Sequence, residues 1–349
     1  MNPATGLTIL VGANASGKTN VIEAAQLITT GVSFRRPRWE DLVRWGDEQA
    51  AVIAGFSGPN TASVVEMRVT SGGQRTHLIN GVSKRSMSET TGILQAVLFT
   101  PDDLDLVKGP AEMRRSAIDD LGEQLSKTYG AVRRDYARVI RHRNTLLREW
   151  QAGSMDLEPW NIQIASLGAR LLVHRRGLLR RMIERSAIAY EELSHGECLT
   201  VEYIDHCGLN TTSPESEVTT DDAERAILAT LEARAVEERA RRVTLVGPHR
   251  DDIMFLVDGR NARSFASQGQ QRTIALAWTL AKVAIVEDIA RRKPLLLLDD
   301  VMSELDEDRR RALTSLVQRD VQTIISTTNT GYFDSGLLDQ ASIITIPGA

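Results

Sequence analysis

A loop near the start of the chain has the residue types of a phosphate cradle. Residues 12–19 fit the pattern G-x-x-x-x-G-K-[ST] and lie between an apolar run and a segment with helical spacing of its apolar residues. Backbone N–H groups of such a loop converge on phosphate oxygens at a helix N-terminus, where unpaired amides and the helix dipole favour an anion. We expect Lys18 to reach the β- and γ-phosphates of a nucleotide, and the Thr19 hydroxyl to bind Mg²⁺. An ordinary turn before a helix is the alternative interpretation. The predicted nucleotide-binding residues of this loop are Gly12, Asn14, Ala15, Ser16, Gly17, Lys18, Thr19 and Asn20.

Two adjacent acids follow a run of four leucines at residues 295–298. A buried strand that ends in paired carboxylates concentrates like charge, which a cation or strong hydrogen-bond donors would relieve. We therefore assign Asp299 to Mg²⁺, and Asp300 to orienting or activating an attacking water. The alternative is that both acids cap a helix or lie in a loop.

A second anion site is predicted in the segment 264–272, directly before a run with helical spacing. Ser267 and Gly269 would stand at the start of that helix, where free backbone N–H groups favour an anion. A capped helix after a glycine-containing loop is common, so the segment alone is a weak signal. Its position, one helix before the acidic strand, strengthens the functional interpretation.

The composition sets the frame for these motifs. The chain has 349 residues, 42% hydrophobic and 25% charged, with a formal net charge of -4. This length indicates two domains, or one domain with a large insertion, and the composition is that of a globular protein. No run is long enough for a membrane span, so we expect a soluble cytoplasmic protein. Cys198 and Cys207 are too few for a disulfide framework and suggest no zinc site.

The ends of the chain alternate between strand and helix patterns, whereas the middle has helix patterns alone. Strands are predicted near 7–11, 51–54, 63–69, 77–81, 96–99, 243–246, 253–257, 295–298 and 323–326, with a hairpin turn at Asn80-Gly81. Helices are predicted at 111–151, 159–193 and 221–242, with polar breaks at Gly153 and 210–220. This order predicts an α/β domain, 1–109 with 243–349, split by a helical insertion at 110–242.

Arginines concentrate on two of the predicted helices, in residues 133–143 and 170–185. Contact with nucleic-acid phosphates is one interpretation, and solvated helix faces paired with neighbouring acids is the other. No aromatic residues of the base-stacking kind accompany these arginines, which favours duplex DNA over single strands. The segment 249–252, His-Arg-Asp-Asp, is expected to be an ion-paired loop that supports the nucleotide site.

Together the motifs resemble the head domain of the ABC-type P-loop ATPases in their SMC-like branch, with mixed sheets, flanking helices and an inserted all-helical second domain. Within that branch the chain is similar to the RecF family of bacterial DNA recombination and repair proteins. The segments that carry this likeness are 99–110, 114–115, 136–144, 247–252, 267–271 and 303–306.

The resemblance implies that ATP is held between two subunits of a homodimer. Ser267, Gly269 and Gln270 of one subunit would bind the γ-phosphate held by the other, and Asp306 would lie across the dimer seam. Residues 326–328, Ser-Thr-Thr, stand where transporter ATPases have a switch histidine, and Thr328 is taken as the catalytic residue among them. Asp300 replaces the transporter glutamate, which fits slow hydrolysis.

The family likeness also implies a weak, DNA-stimulated ATPase that helps to load recombinase at gapped DNA, with RecO and RecR as partners. Two departures from the family pattern stand out. In the family a strand and a hairpin usually precede the phosphate loop, whereas here the loop begins at Gly12. The family also has a glutamine, the Q-loop residue, after a strand. Here Gln95 precedes the strand at 96–99, so residues 100–103 are the candidate Q-loop.

Two rival functions are a membrane-transporter ATPase subunit and a structural SMC-like protein. The first would need a switch histidine, and a helical subdomain for membrane coupling between the phosphate loop and the segment 264–272. The missing histidine and the arginine-rich insertion argue against it. The second would need a coiled coil much longer than the insertion allows.

Overall fold

The computed structural model describes residues 1–58, 61–84, 94–149, 156–194, 196–209, 217–317 and 321–347. Contacts divide the chain into two compact units, the first formed by Met1–Asp103 with Lys282–Ala349 and the second by Leu104–Ala281. The expected boundaries at 109/110 and 242/243 differ from this division, because the strand pairing after residue 252 takes place within the second unit. The predicted break at Gly153, the end of the helix at Gln151, and residues 210–216 lie outside the described residues.

The first unit contains a parallel and an antiparallel sheet. Its elements are β1 (Leu7–Val11), α1 (Lys18–Thr30), β2 (Gln49–Gly58), β3 (Thr61–Thr70), β4 (Arg75–Ile79), β5 (Val82–Lys84), β6 (Ala96–Phe99), β10 (Leu295–Asp299), α9 (Glu307–Val317), β11 (Thr323–Thr327), α10 (Ser335–Gln340) and β12 (Ser342–Thr345).

The parallel sheet has the strand order β12-β1-β11-β10-β6. Its central strands are buried on both faces, which explains why β1 and β10 are continuous apolar runs in the sequence. In the register, Val11 lies beside Thr327, and Asp299 lies beside Ser326. The carboxyl ends of β1, β10 and β11 therefore meet at one edge of the sheet, where the phosphate loop and the acids follow.

The antiparallel sheet has the order β2-β3-β4-β5, as the hairpin pattern predicts. Asn80 and Gly81 join β4 to β5 with φ angles of 50° and 77°, the left-handed pair that a two-residue hairpin turn requires. Val65 and Met67 of this sheet belong to one buried cluster with Leu27 of α1. The sheet thereby holds the helix that begins in the phosphate loop.

The second unit is mostly helical. Its elements are α2 (Ala111–Leu125), α3 (Lys127–Glu149), α4 (Glu158–Ser194), β7 (Leu199–Ile204), α5 (Thr220–Ala233), α6 (Ala235–Arg241), β8 (Asp252–Val257), β9 (Arg260–Asn261) and α7 (Ala262–Phe265), and α8 (Gln268–Ala290) begins there and ends in the first unit.

Three details of this unit differ from the sequence predictions. The helix expected over 111–151 is interrupted at Ser126, and the one over 221–242 at Arg234. The insertion is not entirely helical, because β7 lies within it and pairs with β8. The strand expected at 243–246 does not form, because side chains rather than a neighbouring strand bind its backbone. The Asn144 side chain accepts a hydrogen bond from Thr244 N at 2.8 Å, and the Glu238 side chain accepts one from Leu245 N at 2.7 Å.

Buried arginines tie the helices of this unit to its loops. Arg143 donates to Glu238 at 2.6 Å and to Thr244 at 3.0 Å, and the side chains of Arg143 and Glu238 are 2% and 0% exposed. Arg175 makes two bonds of 2.9 Å to Asp119. These charges are paired and hydrogen-bonded, as buried ions must be.

The segment 249–252 belongs to the same buried network. His249 contacts the Tyr136 hydroxyl through Nδ1 at 2.7 Å and the Thr244 carbonyl through Nε2 at 3.2 Å. The carbonyl can only accept, so Nε2 carries the proton and Nδ1 accepts from the tyrosine. Burial, aided by nearby arginines, lowers the pKa of His249 to about 3. Asp251 accepts from Tyr203 at 2.7 Å, and burial raises its pKa to about 6.

Replacement of Arg143 tests whether its charge serves the fold. Arg143→Ala leaves the Glu238 carboxylate buried without its cation, so the free energy of unfolding should fall by about 3–5 kcal/mol. Arg141→Ala, on the exposed side of the same helix, is the matched control and should change it by less than about 0.5 kcal/mol. Urea unfolding followed by circular dichroism measures both, and equal losses would contradict the assignment.

The pH dependence of stability tests the neutral state of His249. Since its pKa is lower in the folded protein than in the unfolded chain, protonation of the unfolded chain removes stability as the pH falls below about 6.5. Between pH 7 and pH 5 the wild type should lose about 2 kcal/mol relative to His249→Gln. Comparing the two proteins cancels the opposite trend of Asp251, and parallel pH curves would refute the burial of a neutral imidazole.

Candidate nucleotide site

The loop after β1 has a backbone that its glycines make possible. A Cβ on Gly12 would lie 2.6 Å from Ser16 Oγ and 2.7 Å from the Ile346 carbonyl, so no larger residue fits there. Ala15 and Gly17 adopt left-handed φ angles of 62° and 97°. Such turns direct successive backbone N–H groups into a concavity that binds anions, and α1 begins directly after it at Lys18.

Two side chains of the loop are arranged as a phosphate would require. Lys18 Nζ donates to the carbonyls of Gly12 and Ala13, each at 2.8 Å, and the residue is 6% exposed. The Ser16 hydroxyl is buried and has no hydrogen-bond partner among the described residues. A buried hydroxyl left without a partner costs free energy, which a phosphate oxygen in the loop would recover.

The acids after β10 stand against this loop. Asp299 Oδ1 accepts from Thr19 Oγ1 at 3.1 Å and from Ser326 Oγ at 2.6 Å. Strand pairing thus brings together a threonine and a carboxylate that are 280 positions apart in the sequence. The pair assigned to Mg²⁺ is adjacent, and its oxygen-only donor set is the type that Mg²⁺ prefers.

Asp300 has a different environment. It adopts a left-handed φ of 51°, and its backbone N–H donates to Ser326 Oγ at 3.0 Å. Its Oδ1 is buried without a hydrogen-bond partner in the described part of the chain. Burial raises the pKa of Asp300, Lys18 opposes the rise and the Asp299 carboxylate adds to it. A carboxylate oxygen without a donor is suited to accept a hydrogen bond from water.

Ser326 is the member of the Ser-Thr-Thr segment 326–328 that contacts the acids, although Thr328 is the residue predicted to act there. It contacts both acids, whereas Thr328 lies exposed two residues later, past the end of β11. The sequence carries a signal for this residue, because a serine within a buried apolar strand places its hydroxyl on a covered face of the sheet, where it needs a hydrogen-bond partner.

Arg35 is an addition to the predicted site residues. Its Nη1 donates to Asn20 Oδ1 at 2.9 Å and to Glu23 Oε2 at 3.1 Å, which brings a cation close to the first turns of α1. A cavity of about 280 Å³ beside it is lined by these three side chains and by apolar residues of β3. The basic run at 35–38 could have indicated this position.

The segment predicted as the second anion site caps α8. Ser267 Oγ accepts from Gln270 N at 3.2 Å, and Gln270 Oε1 accepts from Ser267 N at 2.9 Å, which is a capping box. The backbone N–H groups of Gln268 and Gly269, in the first turn, have no acceptor within their own helix. Asp306 caps α9 by accepting from Arg309 N at 3.0 Å.

The arginines considered for DNA divide into two groups. Arg143, Arg175 and Arg176 are buried, and Arg133 forms ion pairs with Asp120 and two other acids. Three of these four side chains therefore lie in the interior rather than on a solvated helix face, and Arg133 is paired with neighbouring acids. The exposed members of the two runs include Arg134, Arg138, Arg141, Arg170, Arg180 and Arg181.

In the described ranges, none of the helices has the length and apolar content of a membrane span.

Comparisons with known proteins identify the family of the chain. The sequence profile of the RecF/RecN/SMC N terminal domain family matches residues 1–346. DNA replication and repair protein RecF of Synechococcus sp. (strain JA-3-3Ab) is 38% identical over 344 residues, covering 97% of this chain and 90% of its own length.

Two solved structures share nearly the whole fold. The structure of the recombination mediator protein RecF-ATPrS in the RecFOR pathway has a TM-score of 0.88 at 27% identity, covering 96% of this chain and 89% of that chain. The corresponding RecF-ATP structure has a TM-score of 0.87 at 28% identity with the same coverage. The predicted ABC-type α/β fold is thereby confirmed, and the chain belongs to the RecF family of DNA replication and repair proteins.

Proposed function

We propose that the chain is an ATP-dependent DNA-binding protein of recombinational repair. It binds ATP and Mg²⁺, dimerises when ATP is bound, hydrolyses ATP slowly and acts on double-stranded or gapped DNA. The observation that carries the proposal is the contact of Thr19 and Ser326 with Asp299 beside the Lys18 loop. The names of the two similar structures include ATP or ATPrS, which supports the same class of nucleotide.

The loop residues would hold the triphosphate. Lys18 would exchange the neutral carbonyls of Gly12 and Ala13 for phosphate oxygens, because an ammonium binds an anionic acceptor more strongly. Ser16 would donate its free hydroxyl. Thr19 and Asp299 would hold Mg²⁺, which supplies charge neutralisation on the β- and γ-phosphates.

Hydrolysis would depend on Asp300. Its unpartnered oxygen would accept a hydrogen bond from the attacking water and orient it toward the γ-phosphate. Ser326 holds the backbone of Asp300 and the carboxylate of Asp299 in one arrangement, so the two acids keep separate roles. Thr328, directly after β11, remains a predicted contributor.

The second copy of the chain would complete the site. Ser267, Gly269 and Gln270 would contribute the N-terminus of α8 to the γ-phosphate, and Asp306 would lie at the dimer seam. Because these groups bind only the ATP-loaded partner, ATP would stabilise the dimer and hydrolysis would release it.

The exposed arginines of α3 and α4 are the proposed contacts with DNA phosphates. Partners of the RecO and RecR type, loading of a recombinase at gaps, and a cytoplasmic location complete the proposal. The RecFOR pathway in the names of the similar structures supports these partners.

An Asp300→Asn variant tests the nucleotide mechanism. Asparagine tolerates the left-handed backbone, so the loop should keep its shape while ATP turnover falls about a hundredfold or more. The ATP-bound dimer should persist in gel filtration after the wild type has returned to monomer. Lys18→Arg, whose planar fork does not fit the cradle, should lose both turnover and the dimer. Lys84→Arg is the control, and an Asp300→Asn protein with full turnover would end the assignment.

Salt dependence tests the DNA interface. The double variant Arg180→Gln/Arg181→Gln should weaken duplex binding for every sequence and reduce the slope of log K against log salt by about 2, if each arginine contacts one phosphate. Fluorescence anisotropy with labelled duplex, titrated at several salt concentrations with ATP present, gives the slope. Arg225→Gln, exposed on α5, is the matched control, and an unchanged slope in the double variant would move the interface elsewhere.

A further inference from the structure

A chain of hydrogen bonds connects the interior of α4 to the cap of α8. The Tyr190 hydroxyl, on a fully buried side chain, donates to Glu197 Oε2 at 2.9 Å. Glu197 Oε1 in turn accepts from Gln270 Nε2 at 2.8 Å. Gln270 Oε1 accepts from Ser267 N at 2.9 Å. All four residues lie in the second unit.

These contacts leave one orientation for the Gln270 amide. If the amide were turned over, its oxygen would face the Glu197 carboxylate and its NH₂ would face the Ser267 N–H, which replaces two bonds by two repulsions. Glu197 therefore selects the orientation in which Gln270 closes the capping box. A neutral side chain without a hydrogen-bond acceptor at position 197 would no longer favour this orientation of the Gln270 amide.

The capping box decides which groups α8 presents at its start. With Gln270 in place, the Ser267 N–H is used internally and the Ser267 oxygen accepts from Gln270 N. The Ser267 hydroxyl hydrogen and the N–H groups of the first turn remain as donors for a ligand. A phosphate site of this kind depends on donors held to within about half an ångström.

We propose that Glu197 is a positioning residue for the shared nucleotide site, acting through Gln270 on the donors that α8 offers to the γ-phosphate of the second copy. This inference rests on the proposed function, since it needs an ATP-bound dimer in which Ser267 meets a phosphate. Glu197 would act only through Gln270 and would not itself touch the phosphate.

The direction in which Glu197 variants change the stability of the ATP-bound dimer distinguishes positioning from simple electrostatics. A carboxylate close to an anion site repels the anion, so removing its charge alone would tighten the ATP-bound dimer. Positioning predicts the opposite for Glu197→Ala, which loses the acceptor together with the charge. Glu197→Gln loses the charge but can accept from Gln270 and donate to the Tyr190 oxygen, so it keeps the arrangement.

The experiment measures the dimer dissociation constant of the full chain with ATP and Mg²⁺ by sedimentation. A symmetric dimer contains the site twice, so a loss of about tenfold per site should appear as about a hundredfold in the dimer constant of Glu197→Ala. Glu197→Gln should stay within about threefold of the wild type. Binding of a fluorescent ATP analogue to dilute monomer should be unchanged in both variants, because the phosphate loop is intact.

Two further variants keep the test independent of folding. Tyr190→Phe removes only the hydroxyl and should weaken the dimer in the same direction but less. The double variant Glu197→Ala/Gln270→Ala should be no weaker than Gln270→Ala alone, because both changes remove one interaction. An unchanged or tighter dimer in Glu197→Ala, equal loss in Glu197→Gln, or additive losses in the double variant would each overturn the proposal.

The wild type separates this inference from the function on which it rests. If the wild type shows no dimer with ATP, the proposed function fails and the role of Glu197 fails with it. If the wild type dimerises and Glu197→Ala does so equally well, only the positioning role is refuted.

Discussion

The convergence of three parallel strands at one edge of a sheet is the constraint on which the nucleotide site depends. β1 delivers the phosphate loop, β10 delivers the acids, and β11 between them delivers Ser326, whose hydroxyl contacts Asp299. A slip of one residue in the register of β11 would turn Ser326 to the other face of the sheet. The apolar residues that fix the register, such as Leu297 and Ile324, therefore also fix the chemistry.

A second constraint operates in the helical unit, where buried charges hold the loops. Arg114 joins Asp252 through bonds of 2.8 and 2.9 Å, and Arg143 joins Glu238. Each of these arginines also binds a backbone carbonyl or a hydroxyl, so its charge is satisfied in directions that a neutral side chain could not reproduce. The loop at 243–251 is held by side chains, which explains why it keeps a defined shape without a strand.

Sequence patterns predicted the elements around the phosphate loop better than they predicted the helical unit. A fixed motif with a flanking strand and helix predicted β1, the loop after it and the start of α1, and four leucines predicted the strand that carries Asp299. The interruption at Ser126 and the absence of a strand at 243–246 could not be read from periodicity, because both depend on partners distant in the chain. The Glu197–Gln270 contact was equally hidden, since the residues are 73 positions apart and neither belongs to a motif for such a pair.

The arginine runs show why charge in a sequence is an ambiguous signal. On α4, Arg175 and Arg176 are buried, whereas Arg180 and Arg181 are exposed. A separation of five residues turns a helix by about 500°, or 140° beyond a full turn, so neighbouring members of one basic run face opposite environments. A buried arginine that is already bound to a carboxylate gains little from a DNA phosphate, because it would first have to break that pair. Only the exposed subset can contribute counterion release, and the affinity for DNA should follow that subset rather than the number of arginines in the run.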